Sequence, residues 1–372
     1  MEKEKIIFLE SLRGLAAMIV VLFHFKIGSV LNNSFTENGY LMVDFFFILS
    51  GFVIALNYSK RIYNFLTLKN YMYKRFLRLY PLHLFTLLLW LLIEIIKYFF
   101  YINGWLDSSE DNLPFTQNNV SSFAMHIFLI QNIFTDQLTW NGPSWSISVE
   151  FYTYLLFGLA IIFLGFLFQQ ISNIKYLILC AFFIFFAVAF FYLASEKMFL
   201  RCIYGFFLGS AMFFVSKYRN IYFCSNLLTY FLTLCSVFSM IYLSKYQLAI
   251  TIIYVLNIYS LLMVAKFSEV KANKNILLKF LSLKPLVFLG SISYGIYMTH
   301  SIFIGGLIEI FKLTNVQFFV DGAYLVLEGF SQLEIELLMF SVLGIIISFS
   351  YLCYKYIERP FINYSKKISL TD

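Results

Sequence analysis

Stretches of about twenty apolar residues recur along the whole chain, and nothing else in the sequence constrains the fold as strongly. A helix needs roughly 20 residues to cross ~30 Å of hydrocarbon, and backbone in lipid has to satisfy its own hydrogen bonds. Ten stretches qualify, near 13–31, 39–57, 79–102, 144–168, 174–194, 199–216, 225–243, 247–265, 286–311 and 334–354. Of the 372 residues, 61% are hydrophobic and 13% charged, against about 25% charged in a soluble domain. A water-soluble fold is excluded. The expected class is all-α, a polytopic transmembrane bundle of about ten helices. The N-terminal Lys and Glu lead into the first span with no small-residue cleavage site, so no removable signal peptide is expected.

The formal charge of +7 would suggest nucleic acid in a soluble chain. Here its distribution decides otherwise. Alternating the ten spans from an inside N-terminus puts 21 of the 27 Lys and Arg on the inner side, the exceptions being Lys26, Lys97, Lys197, Arg201, Lys245 and Lys312. That asymmetry is the positive-inside signature and places both termini in the cytoplasm. The region Asn103 to Pro143 lacks Lys and Arg and carries Asp107, Glu110 and Asp111, as an outward loop would. Within it, Ser121–Phe134 is too short to span and is expected to lie on or dip into the bilayer, because an eleventh crossing would reverse every later loop. With no repeat and no soluble segment, residues 1–372 read as one membrane domain without an appended soluble one. Cys180, Cys202, Cys224, Cys235 and Cys353 are scattered, with no His at metal spacing; buried thiols and no metal site are expected.

An ionisable side chain inside a span costs at least ~2.5 kcal/mol, so those present are functional candidates. Arg13 and His24 stand eleven residues apart in the first span. Helical geometry returns them to nearly one face, with His24 ~16 Å deeper. Arg75 and Arg78 share a face one turn apart and could grip phosphate oxygens. Asp44 opens the second span ahead of Phe45-Phe46-Phe47-Ile48-Leu49-Ser50-Gly51, where Ser50 and Gly51 read as close-packing positions. Trp145-Ser146-Ile147-Ser148-Val149-Glu150 enters the fourth span with a carboxylate able to orient an imidazole. Ser293-Tyr294-Gly295-Ile296-Tyr297-Met298-Thr299-His300 places a second imidazole deep in the ninth span. His83, after Pro81, is expected at the interface, and Glu358-Arg359-Pro360 as a helix-ending cap.

In this order the phrases resemble the acyltransferase family 3 domain, membrane enzymes that O-acylate bacterial surface polysaccharides. The resemblance covers nearly the whole chain: Arg13 and His24, the run from Asp44, Arg75 and Arg78, the Trp-Ser-x-Ser-x-Glu ending at Glu150, Ser-Tyr-Gly-Ile-Tyr-x-x-His ending at His300, and Glu358-Arg359-Pro360. It implies acyl-CoA, in the first instance acetyl-CoA, as donor and the Arg and His positions as functional. Many relatives carry an extracytoplasmic hydrolase-like domain, and transfer here is then expected to finish in the membrane domain or on a separate periplasmic partner.

The resulting expectation is an O-acetyltransferase of the bacterial inner membrane. Arg13, Arg75 and Arg78 would hold the coenzyme A phosphates. His24, oriented by Asp44 or Glu150, would act as general base or as the site of a covalent acyl-histidine. Trp145, Tyr294 and His300 would bind substrate, and the acceptor would be a hydroxyl of a surface or lipid-linked glycan. Membrane lipids, and a second copy of the chain, are the other expected partners. The competing reading is a lipid-glycan flippase, which would also place Arg and His along a path.

Overall fold

The structure is a computed structural model, and it describes residues 7–105, 113–168, 172–194, 197–217, 225–267, 272, 274–314, 316, 318–321 and 324–369. Asp107, Glu110, Asp111 and Cys224 lie outside them. Among the described residues nine helices are long and apolar enough to cross a membrane, and the chain is an all-α polytopic bundle. In order come α1 (Ile7–His24), α2 (Met42–Tyr58), α3 (Phe65–Ile102), α4 (Val120–Ile127), α5 (Trp145–Leu167), α6 (Asn173–Phe191), α7 (Met198–Val215), α8 (Asn226–Tyr242) and α9 (Gln247–Phe267). They are followed by α10 (Ile276–Leu281), α11 (Lys284–Ser291), α12 (Ser293–Leu313), α13 (Gln332–Cys353) and α14 (Arg359–Lys366). Between α12 and α13 a small antiparallel hairpin, β1 (Phe318–Asp321) and β2 (Tyr324–Leu327), pairs Phe318 with Leu327 and Asp321 with Tyr324. The 17-residue α8 is the expected seventh span.

Several boundaries differ from the hydropathy windows, each for a local reason. The first helix ends at His24 because Asn32 takes over the backbone beyond it, accepting from the Ile27 and Ser29 amides and donating to the Leu22 and Phe25 carbonyls. The third starts well before the expected 79, at a capping box in which Asn64 and Thr67 satisfy each other's amides. It then runs straight through Pro81 to Ile102. The expected ninth span is two helices, α11 and α12, joined at Ile292. Residues 121–134 hold only the eight-residue α4, too short to cross.

Two apolar cores hold the bundle. The larger packs α2, α5, α7 and α9 around side chains such as Phe47, Phe52, Phe157, Phe206 and Phe207. The other joins α1 to α12 and α13 through Ala17, Val21, Ile296, Met339 and Ile346. The contact between α2 and α7 is unusually close. A Cβ on Gly51 would meet the Phe206 carbonyl oxygen at 1.8 Å, and one on Gly209 would meet that of Ile48 at 1.9 Å. Gly51 is therefore the packing residue that small-residue helix contacts require.

Candidate active site

Arg13 from α1, Arg75 and Arg78 from α3, Glu150 and Tyr154 from α5, and Tyr294 and Tyr297 from α12 line one cavity of about 140 Å³, with Phe46, Phe47 and Ser50 of α2 on another wall. The guanidiniums predicted to share a face do so, and α1 brings a third beside them.

Each guanidinium is anchored by few partners. Among the described residues Arg13 pairs with Glu10, 3.8 Å away on its own helix. Arg75 donates from Nη2 to the Tyr58 hydroxyl (2.9 Å) and stacks over that ring at 5.1 Å, yet its buried Nε has no hydrogen-bond partner. Among the described residues no carboxylate pairs with it. Arg78 donates from Nη1 to Glu358 at 3.1 Å and lies 6.0 Å over the Tyr294 ring. A buried cation without a counter-ion is costly. The cavity is thus electropositive, and its empty donor valences suit an anion with several oxygens.

On the facing wall, Tyr154 donates to Glu150, and the Ser50 hydroxyl sits 2.8 Å from the Tyr154 oxygen. Ser50, expected only to allow close packing, is the open end of a hydroxyl chain that leads to a carboxylate. Glu150 faces the arginines rather than His24, so the expectation that it orients that imidazole does not match the geometry.

The histidines occupy the next layer. His24, the last residue of α1, is exposed and does not line the cavity. Its ring lies 5.1 Å from that of His300, which in turn is 6.0 Å from the ring of Tyr297. Tyr297 packs against Phe46 at 5.9 Å, and both side chains line the cavity. Tyr297 is thus the side chain shared by the arginine cavity and the imidazole pair. His300 is fully buried and accepts no bond at Nε2, while its Nδ1 is 3.3 Å from the Ile296 carbonyl.

One further expectation is corrected, and two further residues find their places. Asp44, placed as a partner of His24, accepts instead from Arg201 (3.3 and 3.2 Å) and from Gln247 (2.7 Å). Trp145, expected to bind substrate, is buried with the Arg201 guanidinium 5.3 Å over its ring. Tyr294, also expected to bind substrate, lines the cavity with the arginines, its hydroxyl donating to the Leu79 carbonyl at 2.7 Å. Arg201 breaks the charge asymmetry because it travels with its own carboxylate.

Two pairings escaped sequence reasoning. His83 is buried within the protein: its Nε2 is 2.9 Å from the His126 carbonyl and the two rings stack 6.0 Å apart. His126 also meets Thr139 (3.1 Å), and nearby Asn141 donates to Thr86 and to the Met298 carbonyl. The loop carrying α4 is thereby fastened to α3 and α12. Glu358, read as a cap, is buried and reaches Arg78 across 280 residues. Beyond it the helix continues through Pro360 to Lys366.

The family model of the acyltransferase domain, family 3, matches residues 6–355. Among curated proteins the chain is similar to "Protein 2 in picA locus" of Rhizobium radiobacter, 32% identical over 156 residues, which is 40% of this chain and 78% of that protein. No solved structure matches.

Proposed function

The chain belongs to this acyltransferase family, and from that premise we propose that it moves a short acyl group, acetyl in the first instance, from acyl-CoA to a hydroxyl of a surface or lipid-linked glycan. The proposed setting is the bacterial inner membrane, with the arginine end of the bundle toward the cytoplasm as the positive-inside asymmetry requires.

One observation carries the reading. Arg13, Arg75 and Arg78 converge on a single cavity in which the Arg75 Nε is buried and unsatisfied. Coenzyme A presents phosphate groups that fill such valences, whereas a neutral sugar does not. The Tyr154 and Ser50 hydroxyls and Glu150 offer polar contacts to the arm that leads from those phosphates to the thioester.

The acceptor arrives from the exposed side of His24. Its hydroxyl gives a proton to the imidazole as the new C–O bond forms and the C–S bond breaks, and the proton passes on to the departing sulfur. His300 lies beside His24 with Nε2 free of protein partners, positioned to hold the acceptor oxygen or to steady the charged imidazole. In this scheme thioester and acceptor meet when the Phe46–Tyr297 contact opens.

The experiment is acyl transfer by the purified, detergent-solubilised protein from radiolabelled acetyl-CoA, paired with mass spectrometry of surface glycans from cells with and without the gene. Loss of glycan acetylation in the deletion, restored by the wild type and not by His24→Ala, is the expected result. Unchanged acylation with blocked glycan export would replace the enzyme by the flippase.

A further inference from the structure

Glu358 reaches a cavity arginine from the far end of the sequence, and the backbone is bent to deliver it. Residues Tyr354–Glu358 form a π-helical turn between α13 and α14. Such a turn inserts about one extra residue, which rotates everything beyond it by roughly 100°. Glu358 is 2% exposed, while Lys355, Tyr356, Arg359 and Pro360 around it are exposed. Its Oε2 accepts from Arg78 Nη1 at 3.1 Å, and its Oε1 is buried without a partner. Glu358 does not line the cavity, whereas Arg78 does.

The same arrangement recurs at Arg75. There the anchor is the Tyr58 hydroxyl, which also stands outside the cavity and takes one guanidinium N–H. In both cases one edge of the planar fork is fixed from behind. The other edge stays available to a ligand in front, which is the arrangement that bidentate recognition needs.

We propose that Glu358 is a positioning residue for the anionic donor, acting through Arg78: it clamps the rear edge of that guanidinium so that the front edge meets a phosphate oxygen. The inference rests on the reading of the cavity as the acyl-CoA site. A cap at the end of a span would need neither the buried carboxylate nor the π turn.

The test is binding of coenzyme A to the full chain in detergent, by calorimetry, together with donor KM and kcat. Glu358→Gln should weaken binding on the order of tenfold, the worth of one charge-assisted hydrogen bond, and raise donor KM much more than it lowers kcat. Arg78→Gln should lose at least as much, and the double variant no more than Arg78→Gln alone, because the acid works only through the arginine. Glu358→Gln binding like wild type, or losses that multiply in the double variant, would overturn the proposal. Should Glu358→Gln not accumulate, Glu358→Asp carries the test: it keeps the charge but withdraws it by one methylene, and unchanged affinity there refutes the clamp. If the wild type itself does not bind coenzyme A, the donor assignment falls first, and a wild type that binds beside an indifferent Glu358→Gln removes only the clamp.

Discussion

The imidazoles of His24 and His300 stand 5.1 Å apart, tilted by 32°, one at the end of α1 and the other buried in α12. Among the described residues neither has a carboxylate hydrogen-bonded to it, and aromatic side chains flank both, Phe23 beside His24 and Tyr297 beside His300. His24→Ala should lower kcat by about 10²–10⁴, the range for removing a general base. His300→Phe, which keeps the ring volume, should lower kcat by about tenfold or more if Nε2 meets the acceptor. Both variants should leave coenzyme A affinity within about twofold of wild type, and a His24→Ala enzyme with full kcat would remove the imidazole from the chemistry.

Among the described residues Arg75 has no carboxylate partner, and the Tyr58 hydroxyl accepts from its guanidinium. Replacing it with Ala should raise donor KM by about tenfold or more, the worth of a hydrogen bond to a charged group. Lys should restore little, because an ammonium cannot reproduce the fork. A steady-state titration of acetyl-CoA reads both outcomes.

The Asp44–Arg201 pair separates a catalytic carboxylate from a structural one. With side-chain exposures of 1% and 15%, the two charges are largely shielded. Asp44→Ala should destabilise the fold by about 3–5 kcal/mol, since it leaves a buried guanidinium unpaired. The double change Asp44→Leu with Arg201→Met should recover much of that loss. Thermal denaturation in detergent measures it, and a stable but inactive Asp44→Ala protein would return Asp44 to the catalytic group.

Gly51 and Gly209 are the points at which α2 and α7 touch backbone to backbone. Gly51→Ala forces a methyl into a carbonyl and should cost about 1–3 kcal/mol or more, as overpacking does. Because Ser50 sits next to it on α2, the displacement should also disturb the Ser50–Tyr154 hydrogen bond. A normal melting temperature and normal activity in Gly51→Ala would mean that the helices part without consequence.

How much of this was legible in the sequence follows from how far each interaction reaches along the chain. The spans could be read because an apolar window of bilayer length is a local property. Arg75 and Arg78 could be read as sharing a face because three residues make nearly one helical turn. The continuation of α3 through Pro81 could not, since proline alone argues for a helix start there. The pairings of Asp44 with Arg201 and of Arg78 with Glu358 are 157 and 280 residues long in sequence and are set by packing alone. A signal did exist for the first of them: Arg201 was an exception to the charge asymmetry in a span that also had to tolerate it. For Glu358 the proline two residues later pointed to a helix end, and the π turn that rotates the acid inward has no composition of its own.

The ion pair between α2 and α7 also bears on how the protein is made. A ribosome delivers α2 with its acid, and α7 with its base, long after. Each helix alone would carry a charge that hydrocarbon rejects, by ~2.5 kcal/mol or more at depth. Biosynthesis of this bundle therefore has a waiting period, in which the earlier segment needs shelter beside the insertion machinery until its counterpart emerges and the two can be released together.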